Sequence, residues 1–471
     1  MTGEDVPQRV LVAGLGVSGV AAARVLLARG HDVTLTDAAE PAAVAELVGA
    51  GARWLGALAT PPDDVDLVVT SPGWRPDHPL LLAAAGQGLE VVGEPELAWR
   101  LRLAPEGGEP APWYAVTGTN GKTTTVTMLE AVLQAGGRRA VAAGNVGRPL
   151  IEVVTARDAD GRPSFDALAV ELSSFQLHWS SSIAPAGACV LNVADDHVDW
   201  HGSFAAYRDA KARVLRRAPV AVADAGDPVA SELVARHRHP VTVTLQEPCS
   251  GQLGVRAGAL VDRAFSAEPA GEVLVELGAL QVRGPHNTVN ALAAAALGRV
   301  AGVGADAIGR GLAGFRGGPH RNVLIGTVDG VDYVDDSKAT NPHAAAASLA
   351  AYPRVVWIAG GLLKGADVEP LVTAVAARLA GVVLLGRDRE ELARSLARHA
   401  PAVPRIVVPS GDHGAVVTDG DRVMSEVVTA ARRLARPGDT VLLAPAAASM
   451  DVFRDYAHRG RAFADAVRAL G

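Results

Sequence analysis

The sequence predicts an α/β fold in three domains, each built on a mostly parallel sheet with helices on both faces. Three observations predict it. The chain has 471 residues, enough for three domains at roughly 150 residues each. Short apolar strands alternate with helical patterns along most of it, the spacing of parallel βαβ units. Two stretches rich in Pro and Gly, LAPEGGEPAP at 103–112 and AGFRGGPHRN at 313–322, interrupt the alternation and read as linkers.

The expected boundaries are 1–107, 108–316 and 317–471. The first domain opens with the strand RVLVAGLG, the helix GVAAARVLLARG and the strand DVTLTD, a Rossmann-like start. The strands VDLVVTSPG and LEVVGEPE follow. The central domain starts with the strand WYAVTG and the helix KTTTVTMLEAVLQAG. FDALAVELS and GACVLNV are further strands, and HNTVNALAAAALGRVAG is a late helix. The third domain, again Rossmann-like, repeats strand and helix regularly. Its strands are VDYVDDS, RVVWIAGG, GVVLLG, RIVVP and TVLLAPA. Its helices include DVEPLVTAVAARLA, ELARSLARHA, SEVVTAARRLA and RGRAFADAVRAL.

Composition narrows the class. Apolar residues make up 49% and charged residues 20%, which suits a packed core and excludes a disordered chain. No apolar run reaches about 18 residues, so no transmembrane helix is expected. The opening MTGEDVPQRVLVAGLG has no secretory pattern. Two cysteines, Cys189 and Cys249, are too few for a disulfide scaffold or a cysteine metal site and fit a reducing cytoplasm. The net charge of −7 points to neither nucleic acid nor membrane. Of 44 basic residues only four are lysine: Lys122, Lys211, Lys338 and Lys364. Where arginine would serve, this chain uses arginine. Each lysine therefore marks a place where a compact, titratable amine is wanted.

Four motifs carry chemistry. Gly14-Leu15-Gly16-Val17-Ser18-Gly19 fits G-x-G-x-x-G between a strand and a helix, with Asp37 ending the next strand. Such glycines let backbone approach a diphosphate, and the acid can hold a ribose. A nicotinamide site, another nucleotide diphosphate and a merely tight turn all fit it. Gly118-Thr119-Asn120-Gly121-Lys122-Thr123-Thr124 follows a strand and opens a helix. It reads as a variant phosphate loop, in which backbone N–H groups would wrap the phosphates, Lys122 would reach them and Thr123 would face Mg²⁺; a Gly-rich turn with no nucleotide is the alternative. Glu171 ends a strand, where a carboxylate can serve Mg²⁺ or cap the helix that follows. His197 lies just past another strand end, where ligand sites gather in parallel sheets.

GTNGKTT, ELSSFQL, NVADDHVD, YRDAKAR, GPHNTVNALAA, GGPHR, DDSKATNP and LLAPAAASMDVF occur in the order seen in the Mur ligases of peptidoglycan synthesis, which this chain resembles. The resemblance spans 117–456, and the N-terminal module adds 10–100. It implies a uridine-nucleotide domain, a central P-loop ATPase-type domain and an amino-acid domain. It also implies a cytoplasmic enzyme, expected to be a monomer, that uses ATP and two Mg²⁺ ions. The N-terminal GLGVSG, the SPG at 71–73 and the length favour the D-glutamate-adding branch, with UDP-N-acetylmuramoyl-L-alanine and D-glutamate as substrates.

By the same resemblance Lys122, Glu171, His197 and Lys211 are the catalytic set. Thr123 and Glu171 serve one Mg²⁺ and His197 a second, while Lys211 matches a position that becomes a carbamate ligand. Carbamate forms only on a neutral amine, which arginine cannot supply. Gly118 to Thr124, Asn287, Asn290, Arg321, Asp336 and Lys338 resemble ATP contacts, with His320 beside Arg321 in the hinge. Val17, Ser18, Asp37, Ser71 and Asn145 resemble contacts to the uridine substrate. Thr340, Lys364, Ser449 and Tyr456 resemble the D-glutamate pocket. Leu363 stands where many relatives have an aspartate, and Tyr456 where Phe is frequent.

Overall fold

The computed structural model describes residues 6–282, 284–410 and 419–470. Three sheets organise them. The first has five parallel strands in the order Arg53–Trp54, Asp32–Thr36, Arg9–Ala13, Leu67–Thr70, Glu90–Gly93. Its central strands are almost wholly buried because helices cover both faces. The helix Val17–Ala28 follows the first strand and buries Ala21, Ala22, Ala23 and Leu26 against it.

The second sheet has nine strands. Seven are parallel: Gln252–Arg256, Pro240–Val243, Ala221–Asp224, Gly187–Val190, Trp113–Thr117, Ala167–Glu171 and Ala140–Gly144, in that spatial order. The strand Trp113–Thr117 lies between Gly187–Val190 and Ala167–Glu171, so the loop after it sits at the centre of the sheet's carboxyl edge. Beyond Pro240–Val243 the sheet continues through Gln252–Arg256 into an antiparallel meander with Ala259–Asp262 and Glu272–Glu276. Ala257 and Gly258 both take positive φ, 49° and 80°, the geometry of a tight two-residue hairpin.

The third sheet has six strands, in the order Val323–Val328, Val331–Asp335, Thr440–Leu443, Val355–Ala359, Leu379–Leu384, Arg405–Val407. All pairs are parallel except the first, an antiparallel hairpin turned by Asp329-Gly330. Trp357 fills one face and gives its indole N–H to the Ala444 carbonyl at 2.7 Å. The expected helix DVEPLVTAVAARLA is shorter than its pattern. It runs Glu369–Val375, tightens into a 3₁₀ turn at Ala376–Arg378, and Leu379 already belongs to the next strand. Contacts divide the described chain into two compact units. One holds 6–280 and 289–315, the other 281–288 and 316–470. Among the described residues no helix is long and apolar enough to cross a membrane.

Candidate active site

The loop 118–121 joins the strand Trp113–Thr117 to the helix Lys122–Ala135. Gly121 has φ 84°, and a Cβ there would lie 2.5 Å from the Asn290 Oδ1. That position admits only glycine. The loop is held from outside by Asn192, whose carbonyl accepts from Thr119 N at 2.9 Å and whose side chain accepts from Asn120 N at 2.8 Å. Thr119 is tied further, its hydroxyl 2.9 Å from the Tyr207 hydroxyl.

Two lysines converge here. Lys122 Nζ donates to the carbonyls of Gly118 and Thr119, at 2.9 and 3.0 Å. Lys211, from the helix Phe204–Ala212, donates to Gly118 O at 2.7 Å and lies 4.5 Å over the Tyr207 ring. Lys211 is 2% exposed. Burial, and next the charge of Lys122, push its amine well below the ordinary lysine range. The shift favours the neutral amine, the form that can add carbon dioxide.

Glu171 is buried at the end of its strand. One carboxylate oxygen accepts from Thr123 Oγ1 at 2.7 Å and the other from Asn145 Nδ2 at 2.9 Å. The capping alternative fails: the next helix, Ser174–His178, is capped by Ser173, with Gln176 completing a capping box. A hydroxyl beside a carboxylate is a hard oxygen donor pair, which suits Mg²⁺. The Lys211 amine is engaged with the Gly118 carbonyl, and its carbamate would add a hard oxygen donor beside this pair. Among the described residues no three His, Cys, Asp or Glu side chains gather as a metal cluster.

His197 caps the one-turn helix Val198–His201 with φ 53°. Its side chain is 47% exposed and 3.6 Å from Asp196, with its ring stacked at a tilt on Phe175. Burial of the ring face and the nearby charges of Lys211 and Lys122 hold the imidazole below its usual pKa, against Asp196. A neutral imidazole is the ligating form. Asn290 accepts from Thr125 Oγ1 at 3.2 Å; Asn287, one turn earlier on the helix Pro285–Val300, is also buried.

At the N-terminal sheet, Asp37 is used to close the glycine turn. Its carboxylate accepts from Leu15 N and Ala38 N, both at 2.6 Å. Ser71 Oγ donates to Gly14 O at 2.5 Å. The helix Val17–Ala28 starts at Gly16 with no side-chain cap, and Val17 is 77% exposed. Its first N–H groups therefore have no side-chain cap, as an anion site requires. Ser18, half-buried, lies in the same first turn.

In the third sheet the motif residues cluster at strand ends. Asp336 follows Val331–Asp335, and burial pushes its carboxyl up to about 6, with Arg321 opposing. His320 Nδ1 lies 2.6 Å from Asp335 Oδ2. Lys338 Nζ sits 3.8 Å over the Tyr456 ring, so Tyr456 retains the aromatic face that Phe would supply. Ser449 is buried and Thr340 half-buried. Lys364 is exposed with φ 54°, so one of the four lysines does face solvent. Leu363 is a core residue, 4% exposed, and its N–H is taken by Asp388 at 2.7 Å. Seven described non-glycine residues have positive φ; His197, His320 and Ala446 lie in the motifs, and Lys364 is a fourth of the expected site or hinge residues among them.

Sequence reasoning missed Glu94, Glu96 and Arg459. Glu96 is fully buried and accepts from Ser181 N, Ser182 N and Ser182 Oγ at 2.9, 3.0 and 2.5 Å. Glu94 accepts from Ile151 N at 2.6 Å. Acidic residues in a helix first turn read as ordinary dipole partners, which hid these roles.

The chain matches the Mur ligase MurD-like N-terminal domain at 8–93, the Mur ligase middle domain at 116–298, and the Mur ligase glutamate ligase domain at 320–447. It is 54% identical to the UDP-N-acetylmuramoylalanine--D-glutamate ligase of Thermobifida fusca, covering 98% of each chain. Identity is 51% to the ligase of that name from Mycobacterium avium, over 98% of this chain and 96% of the relative. It is 50% to that of Streptomyces coelicolor, over 100% of both. Among solved structures, the UDP-N-acetylmuramate-alanine ligase MurC of Thermotoga maritima superposes with a TM-score of 0.56 at 19% identity, over 98% of this chain and all of that one. MurF ligase of the same organism, solved with ADP, gives 0.56 at 17%, over 93% and 96%. Each of the three domain matches falls on one of the three sheets, in order, and half of all residues are shared end to end with these ligases, so the chain belongs to the Mur ligase family.

Proposed function

We infer that this chain is an ATP-dependent amide ligase that adds D-glutamate to UDP-N-acetylmuramoyl-L-alanine, releasing ADP and phosphate. The observation that carries this reading is the end-to-end match, at half identity, to relatives named for that activity. The roles proposed for the residues follow from that kinship.

The terminal phosphoryl group of ATP passes to the alanyl carboxylate, giving an acyl phosphate and ADP. The amine of D-glutamate then attacks the carbonyl carbon and loses a proton. The carbon–oxygen bond to phosphate breaks and the amide remains. No covalent enzyme nucleophile is needed. The protein must hold three polyanions and place charge where it develops. The loop 118–124 offers backbone N–H groups and Lys122 to the phosphates. Asn287, Asn290, Arg321, Asp336 and Lys338 complete the ATP contacts. Thr123, Glu171, His197 and a carbamylated Lys211 would hold Mg²⁺. Magnesium, when bound, neutralises phosphate charge. Val17, Ser18, Asp37, Ser71 and Asn145 receive the uridine substrate. Thr340, Lys364, Ser449 and Tyr456 receive D-glutamate, whose two carboxylates suit a cation flanked by hydroxyls. The domains implied are 1–107, 108–316 and 317–471, acting in a cytoplasmic monomer.

The test is amino-acid-dependent phosphate release with UDP-N-acetylmuramoyl-L-alanine and ATP. D-Glutamate should support turnover, while L-lysine and diaminopimelate should not. Release driven by diaminopimelate instead would move the chain to a sister activity.

A further inference from the structure

The guanidinium of Arg459 is among the largest fully buried side chains, 1% exposed. It stands in the first turn of the helix Tyr456–Arg468. All three of its hydrogen bonds within normal reach go to uncharged oxygens. Nε donates to Ser337 Oγ at 2.9 Å, Nη2 to Ser337 O at 2.8 Å, and Nη1 to Ala447 O at 3.1 Å. Ser337 Oγ in turn donates to Tyr456 O at 2.7 Å. One planar fork thus joins two loops that are far apart in sequence. One follows the strand Val331–Asp335 and carries Asp336, Lys338 and Thr340. The other follows Thr440–Leu443 and carries Ser449.

Burial of an arginine without a bonded carboxylate is costly. Desolvation pushes its pKa down to about 10, and Asp451 and Asp335 oppose that fall. A core-filling role needs no such group, since an apolar side chain of that volume would fill the space more cheaply. The next residue of the helix packs at the end of the strand that leads into the first loop. Gly460 leaves room for the His320–Asp335 pair, because a Cβ there would lie 2.1 Å from His320 Nδ1.

Resting on the ligase reading above, we propose that Arg459 is a positioning residue for two substrates. Its fork sets the spacing of the 336–340 and 444–449 loops, and through them the D-glutamate contacts Thr340, Ser449 and Tyr456 and the ATP contacts Asp336 and Lys338. The uridine substrate, received by the N-terminal sheet, lies outside its influence.

The experiment compares the parent with Arg459→Lys and Ser337→Ala. Lysine keeps charge and most of the length but cannot make a three-point fork. Alanine at 337 removes the hydroxyl bridge and leaves two of the three arginine bonds. KM for D-glutamate and for ATP should rise by about tenfold in Arg459→Lys and by about threefold in Ser337→Ala, with KM for the uridine substrate unchanged. Thermal midpoints of both variants report folding separately. Lower kcat with all three KM values unchanged, or equal rises in all three, would mean a structural role alone and overturn the proposal. A parent enzyme without D-glutamate-dependent phosphate release would instead refute the ligase reading, before any variant is measured.

Discussion

Lys122 and Lys211 donate to one acceptor, the carbonyl oxygen of Gly118, at 2.9 and 2.7 Å. Burial, and next the like charge of Lys122, hold the Lys211 amine well below the ordinary lysine range. Lys211→Arg restores a permanent cation there. It should cost roughly 10²–10³ in kcat, the scale of losing a preorganised charge-stabilising group. Bicarbonate should not rescue it. Carbon-13 bicarbonate should label the parent and leave the variant unlabelled. Turnover near the parent's in Lys211→Arg would refute carbamate chemistry.

Asn145 holds Glu171 by its side chain and also donates its backbone N–H to the Glu171 carbonyl at 2.9 Å. Removing the side chain frees the carboxylate that pairs with Thr123. Asn145→Ala should raise the Mg²⁺ concentration for half-maximal rate by about 10–100-fold, as loss of an outer-shell partner does. If Asn145 serves the uridine substrate alone, that KM will move and the Mg²⁺ dependence will not.

Burial pushes the Glu94 carboxyl up to about 7, against an ordinary 4.5. The folded protein then holds a proton that the unfolded chain has released between those values. Stability is complete below 4.5 and falls as pH rises towards 7, by roughly 1.4 kcal/mol per unit. Glu94→Gln keeps an acceptor for Ile151 N and removes the titration. Urea unfolding from pH 4.5 to 8 should show a flatter profile for the variant and higher stability than the parent at pH 8. Parallel profiles would remove Glu94 from the account.

Two glycines of one motif should behave differently. A Cβ at Gly19 would lie 1.9 Å from the Gly14 carbonyl oxygen, while one at Gly16 meets nothing within 4 Å. Gly19→Ala should cost about 1–3 kcal/mol of stability through overpacking, seen as a lower melting temperature. Gly16→Ala should leave melting unchanged and raise KM for the uridine substrate, because only a bound diphosphate needs that space. Equal melting shifts would show that both glycines serve packing.

What was legible in the sequence follows from range. The parallel strands were readable because both faces are buried, which leaves continuous apolar runs such as Val355–Ala359. Their motifs were readable because ligand residues collect at strand ends. The meander of 252–276 was not foreseen. Its strands are short and the outer two are partly exposed, so Glu272–Glu276 carries charged ends and no clean alternation. Glu94, Glu96 and Arg459 were invisible for another reason. A buried charge is decided by partners 57, 85 and 122 residues away, and no local pattern encodes them. The left-handed backbone and the exposure of Lys364 are likewise set by no local pattern.

The scarcity of lysine has a practical side. Arginine carries the basic surface, and guanidinium groups resist acylation at neutral pH. Among the lysine side chains only Lys364 stands exposed, while Lys211 is sealed and Lys122 and Lys338 are half-covered. An amine-directed dye or crosslinker would meet a molecule with almost no inert lysine to absorb it. Its first side-chain adduct would fall on the residue assigned to D-glutamate, so random labelling becomes site-directed labelling, and protection by D-glutamate becomes a direct assay of occupancy.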